Sequence, residues 1–191
     1  VYASGSVAAG SNAKQGNYVT AASAVISAQD GMQSDQGGAH AFLLNAESLS
    51  VEITGAGPIW IENDGDIAIS NATTASGNVT ISAFGNLIAS AITAGENDLG
   101  KLGIITLSTP APAGGGRDAN QNALRSITVG KLTGTAVNLM AGTQIDQVTA
   151  SEITAGTLTL VSNEGINLSG LTVDSVDAVI EDTGDLILSS L

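Results

Sequence analysis

The chain has 191 residues, enough for one domain of ordinary size, and its 43% hydrophobic residues suffice for a continuous core. Eighteen acidic against five basic residues leave a formal charge of -13, which argues against nucleic acid as a partner, since phosphate binding needs clustered Lys and Arg. There is no cysteine, hence no disulfide, thiolate metal site or cysteine nucleophile, and no run of about 18 apolar residues suited to crossing a bilayer as a helix.

The kind of hydrophobe narrows the fold. Aromatic residues make up 3% of the chain, so the interior must be built from Val, Ile, Leu and Ala, which suits a thin and regular core. Twenty-four Gly against three Pro point to many tight turns between short extended segments. The first residues, VYASGSVAAG, lack a charged segment followed by an apolar one, so no secretion signal is visible. With no initiator Met, the expectation is a processed form or an internal piece of a longer chain.

Residues 1 to 46 hold two strand-like stretches, GNYVT at 16 to 20 and AVISA at 24 to 28, followed by the irregular GMQSDQGGAH. They are expected to form a cap or distorted first coils, because a stacked sheet must hide its open end. His40 has no second His or Cys at ligand spacing, so neither a zinc site nor a catalytic triad is expected there.

From residue 47 onward a pattern recurs: Gly, any residue, apolar, any residue, apolar. One column of such glycines is formed by Gly65, Gly85, Gly103, Gly165 and Gly184, and a second by Gly57, Gly77, Gly134 and Gly156. A third segment recurs as SAITAG at 90 to 95 and SEITAG at 151 to 156, with LTVDS at 171 to 175 in the same place. Strand spacing alone would also suit an immunoglobulin-like sandwich, but repetition in fixed phase does not. A period of about 20 residues with three alternating segments predicts an all-β fold, a parallel β-helix (β-solenoid) with three short strands per coil. The interval from Gly85 to Gly165 reads as four periods, and the whole chain as roughly eight coils, a rod on the order of 40 Å long at the usual strand spacing. Right-handedness follows from the general preference of parallel crossovers. Such an interior is dry and narrow and offers no cofactor pocket.

The pattern breaks between 108 and 126, where STPAPAGGGRDANQNALRS predicts a loop extruded from one corner. Lys101, Arg117, Arg125 and Lys131 fall in or beside it, four of the five basic residues, and mark a candidate contact site. Trp60 alternates between Ile59 and Ile61 and is therefore expected on an outward face, a second contact candidate. Two acidic turns, ENDGD with Glu62, Asp64 and Asp66, and EDTGD with Asp182 and Asp185, gather oxygen donors at glycine turns. Calcium is the ligand they would take, although neither the EF-hand nor the calcium β-roll spacing is present. The same residues also serve as ordinary turn formers.

The segments GNVTISA, GNLIASAITAG, GTLTLVS and GDLILS resemble the repeats of filamentous-haemagglutinin-like exoproteins, over about residues 47 to 191. That resemblance implies a right-handed parallel β-helix at a bacterial surface, exported by two-partner secretion and used in adhesion. It departs from the family in lacking the N-P-N-G-like signature of the secretion domain, so it points to shaft or passenger rather than to the export module. The expected function is a non-enzymatic secreted or cell-surface adhesin segment or rigid shaft, whose partner is a host or neighbouring-cell protein or glycan. The alternatives are a self-assembling filament or surface-layer subunit, whose partners are copies of itself, and a polysaccharide-active enzyme, which would need carboxylates lining one groove.

Overall fold

A computed structural model of the chain describes residues 2–3, 7–8, 19–33, 41–96, 100–109, 125–148 and 151–190. Among them every named strand pairing is parallel and no helix occurs; about seven turns of roughly 21 residues stack into a β-solenoid. In chain order the strands are β1 (Tyr2–Ala3), β2 (Val7–Ala8), β3 (Val19–Ala28), β4 (Met32–Gln33), β5 (Phe42–Ala56) and β6 (Ile59–Asn63). There follow β7 (Ile67–Ser76), β8 (Val79–Ala83), β9 (Leu87–Ala94), β10 (Ile104–Ser108) and β11 (Ile127–Thr133). The last are β12 (Ala136–Met140), β13 (Gln144–Gln147), β14 (Ile153–Ser162), β15 (Gly165–Ile180) and β16 (Leu186–Ser190). The longer strands bend around corners, so that each turn contributes to three walls.

Alternation decides which residues build the core. On the first wall, Ile59, Val79, Ile105, Val137, Leu158 and Val176 lie one above another, and Ile61, Ile81, Leu107, Leu139, Leu160 and Ala178 form the neighbouring column. On the second wall the column is Ile67, Leu87, Ile127, Ile145, Ile166 and Leu186. The third carries Ile26, Val51, Ala72, Ile92, Leu132, Ile153 and Leu171, which confirms that SAITAG, SEITAG and LTVDS occupy one place. Between Ile59 and Leu168 these column residues are almost wholly buried, and the β-branched side chains suit a pleated, half-covered surface. Within GNVTIS, Val79 and Ile81 face in while Thr80 and Ser82 remain half-exposed outside.

Two glycine corners illustrate different needs. Gly65 has φ of +116°, a conformation closed to most L side chains. Gly85 is required by contact instead: a Cβ there would lie 2.2 Å from Oδ1 of Asp66 and 2.4 Å from its backbone nitrogen.

Three sequence expectations need correction. Gly103 leads into β10, which pairs with β8 and β12, so it belongs to the column of Gly57, Gly77, Gly134 and Gly156, at the third-to-first corner. The reason is a detour from Gly95 to Gly103, closed by an antiparallel bridge between Glu96 and Leu102, which lengthens that turn from 20 residues to 26. The interval from Gly85 to Gly165 spans three turns, through β9, β11, β13 and β15, rather than four; the step from Asn86 to Ser126 alone takes 40 residues. The rod accordingly has about seven turns, not eight. β3 joins this stack in parallel register with β5, Ile26 lying on Val51.

Candidate binding surfaces and corner side chains

The described basic residues are near in sequence but separate in space. Lys101 is exposed at the corner between third and first walls, Arg125 is half-buried at the corner between first and second, and Lys131 is exposed where the third wall begins. Each corner of the solenoid thus carries one of them. Arg117 and the loop body at 110–124 lie outside the described residues. The loop's flanks are drawn together: Thr109 donates its hydroxyl to the backbone oxygen of Arg125 at 2.8 Å and accepts from the Gly142 amide at 3.0 Å.

Trp60 stands on the outer face of the first wall, half-buried, in a column continued by Thr80, Thr106, Asn138, Thr159 and Asp177. On the third wall the outer column is Thr73, Thr93, Thr133, Thr154 and Thr172, five successive turns with the same residue.

The two acidic turns share one corner but not one level. ENDGD belongs to the turn of β6 and β7, and EDTGD to the turn closed by β16, five steps further on, or about 24 Å along the axis. Glu62 is half-buried on the first wall, whereas Asp64, Asp66, Asp182 and Asp185 are exposed. Among the described residues no three His, Cys, Asp or Glu side chains gather closely enough to hold a metal ion.

What organises the first of these turns is Asn63, a residue with the oxygen-donor character of a ligand but a structural position. It is wholly buried; its Oδ1 accepts from the Ala46 amide at 2.9 Å, and its Nδ2 donates to the carbonyls of Gly65 and Asp66 at 3.2 Å. Asp66 also spends one oxygen on the fold, accepting from the Asn86 amide at 2.7 Å. Asn86 in turn accepts from the amide and hydroxyl of Ser126, and Asn78 accepts from the Ile104 amide at 2.9 Å. Asp66, Asn78 and Asn86 each directly follow a glycine, and each satisfies a backbone N–H one turn further along, where ladder hydrogen bonding is interrupted by the corner. The recurring Gly-Asn pairs were the available signal for this role. Among the described residues two buried polar atoms have no hydrogen-bond partner, Oγ1 of Thr143 and Nε2 of Gln147.

The Gly95 to Gly103 detour leaves a surface cleft of about 310 Å³ at the third-to-first corner. Ser76, Asn78, Lys101 and Thr135 supply its polar groups, and Leu102 and Ile104 its apolar side chains, over a glycine floor. Thr135 donates its hydroxyl to the Leu102 carbonyl, which holds the detour against the following turn.

Set beside known proteins, the chain matches no protein family, no curated protein and no solved structure. Fold and pairing define its class on their own: a parallel, three-walled β-solenoid repeat protein. No described helix is long and apolar enough to cross a membrane.

Proposed function

We propose that this solenoid is a non-enzymatic scaffold, secreted or displayed on a bacterial surface, and that it serves as an adhesin segment or rigid shaft of the filamentous-haemagglutinin type. The observation that supports this reading is the unbroken aliphatic packing from turn to turn, which makes a solid rod with chemistry only on its outside. A rod of this kind holds a surface feature at a distance from its anchor without needing to move. The loop at 108–126 and the face around Trp60 are the features proposed to meet a host or neighbouring-cell protein or glycan. An enzyme of this fold needs a pair of carboxylates across one substrate groove, and the two acidic turns stand five levels apart.

A second reading, a self-assembling structural subunit, is favoured by one observation. Val176 and Leu186 continue core columns, yet are 40% and 50% exposed, with Ala178, Ile180 and Leu188 only partly buried beside them. Such a face accepts another coil, of the same chain or of a second copy. Size-exclusion chromatography with light scattering, followed by negative-stain microscopy with calcium and with chelator, separates the two. A monodisperse rod indifferent to calcium that binds cells supports the adhesin or shaft; filaments or sheets would overturn it in favour of self-assembly. Were assembly calcium-dependent, its loss on substitution of Asp64 and Asp66 or of Asp182 and Asp185 would locate the metal at one of the acidic turns.

A further inference from the structure

The outer face of the first wall differs in charge from the rest of the surface. On the four turns of β8, β10, β12 and β14 no outward position of this wall carries a charge, although the chain holds eighteen acids. Glu62 and Asp177 stand on the levels before and after. The middle turns of the other walls bear Asp146 on the second and Lys131 on the third.

What stands outward instead is a column, Trp60, Thr80, Thr106, Asn138 and Thr159, which rises one level per turn at the ~4.8 Å strand spacing. Its polar groups have hydrogen-bonding capacity to spare. Among the described residues the hydroxyls of Thr80 and Thr159 have no partner. Thr106 accepts from Nδ2 of Asn138 at 3.4 Å, which leaves the Thr106 hydroxyl proton, the Asn138 Oδ1 and its second N–H for a ligand. In the next row Ser82 and Ser108 share one hydrogen bond of 2.7 Å and keep one hydroxyl proton between them. Met140, 43% exposed, and Val161 continue that row as apolar contact.

Charge, area and period select the occupant. Neutral donors and acceptors match hydroxyl groups, whereas an anionic polymer would meet no cation on this face and the repulsion of a chain of net charge -13. Four levels by five residues of strand make roughly 300 Å², well short of the ~800 Å² that each partner of a standard protein interface covers. The step along the column is close to the advance of one ring in a straight, equatorially linked sugar chain; an α-linked chain curls away from it.

We infer that the first wall binds an uncharged, straight β-linked glycan laid along the rod axis, one ring per turn, with Trp60 offering ring contact at one end. This rests on the reading of the rod as an adhesive scaffold and names the class of glycan that the face around Trp60 takes.

The test is a titration of the 191-residue chain with cellobiose and cellohexaose, followed by nuclear magnetic resonance of backbone amides. Saturable shifts are expected at Thr80, Thr106, Asn138 and Thr159, with cellohexaose bound at least about tenfold more tightly than cellobiose because it reaches more turns. Maltohexaose, which curls, and cellohexaose with its primary hydroxyls oxidised to carboxylates are each expected to bind about tenfold more weakly. Thr106→Val and Thr159→Val keep shape and β-branching and are each expected to lower affinity about fivefold, while Thr133→Val on the third wall changes nothing. Retention of the native melting temperature by these variants separates lost binding from lost folding. Shifts spread over the rod, equal affinity for short and long oligomers, or equal affinity for the oxidised one would overturn the inference. A chain that adheres to cells but shows no saturable shift on the first wall refutes this assignment alone. One that binds cellohexaose there yet does not adhere upholds the assignment and overturns the adhesin reading.

Discussion

Asn63 shows at the residue scale how a polar side chain becomes structural in an aliphatic interior. Its amide completes three backbone groups that the corner would otherwise strand, the Ala46 N–H and the carbonyls of Gly65 and Asp66. Replacing it with Ala leaves a buried amide without an acceptor, so Asn63→Ala is expected to cost about 2 kcal/mol, seen as a lower thermal midpoint by circular dichroism. Gln147 is the opposite case. It occupies an inward column between aliphatic levels, Val129 lying on it, and only its oxygen is used, by the Ser169 amide, while Nε2 is buried and unpaired. Gln147→Leu removes the stranded donor and adds apolar volume, and the Ser169 amide it abandons is exposed to water. A gain of about 1 kcal/mol is therefore expected in the same melt; a loss would mean that the Gln amide finds a partner in solution.

Most of the element-scale architecture was legible because alternation and glycine corners are local signals. Val79 and Ile81 declare their facing within six residues, and the third-wall segments repeat nearly letter for letter. What sequence could not show was phase across insertions. The extra chain between β10 and β11 is about as long as a whole turn, so the Gly85 to Gly165 interval imitated four regular periods. A shorter detour displaced Gly103 from one corner column to another for the same reason. The candidate site was less legible still: Lys101, Arg125 and Lys131 look like one basic cluster, yet a chain that winds around three corners separates neighbours of this spacing onto different edges. Turn asparagines also read alike whether the side chain faces water, as a ligand would, or the core, as Asn63 does. The loop itself yields a prediction at this scale. Because Thr109 and Arg125 are already joined by a 2.8 Å hydrogen bond, replacing residues 110–124 with Gly-Asn closes a gap the fold holds shut. The melting midpoint is expected to change by less than about 1 kcal/mol equivalent, since loop closure depends only weakly on length. Cell binding by the excised chain, compared with the full chain, then reads directly whether the loop is a contact surface.

For the molecule as a whole, a solenoid is nearly one-dimensional: each turn is stabilised by the turns on either side, and a turn with one covered face holds less tightly than a central one. The first-wall column makes this testable with a single substitution at two heights. Val137 has β10 on one side and β14 on the other and is wholly buried, whereas Val176 pairs with Leu158 on one side and is 40% exposed. Val137→Asp buries a charge without a partner and is expected to cost more than about 4 kcal/mol, enough to unravel the central turns. Val176→Asp turns its carboxylate into water and is expected to cost less than about 1 kcal/mol in dilute solution. Native-state hydrogen exchange supplies the matching readout, with amides of β10 and β12 the slowest and those of 175–188 the fastest to exchange. The comparison also bears on the two functional readings. If Val176→Asp proves as damaging as Val137→Asp, and the penalty grows with protein concentration, the last described turn is covered by another copy in solution. Self-assembly then follows from the same aliphatic columns that build the rod, because a coil added from outside obeys the register of a coil added by the chain.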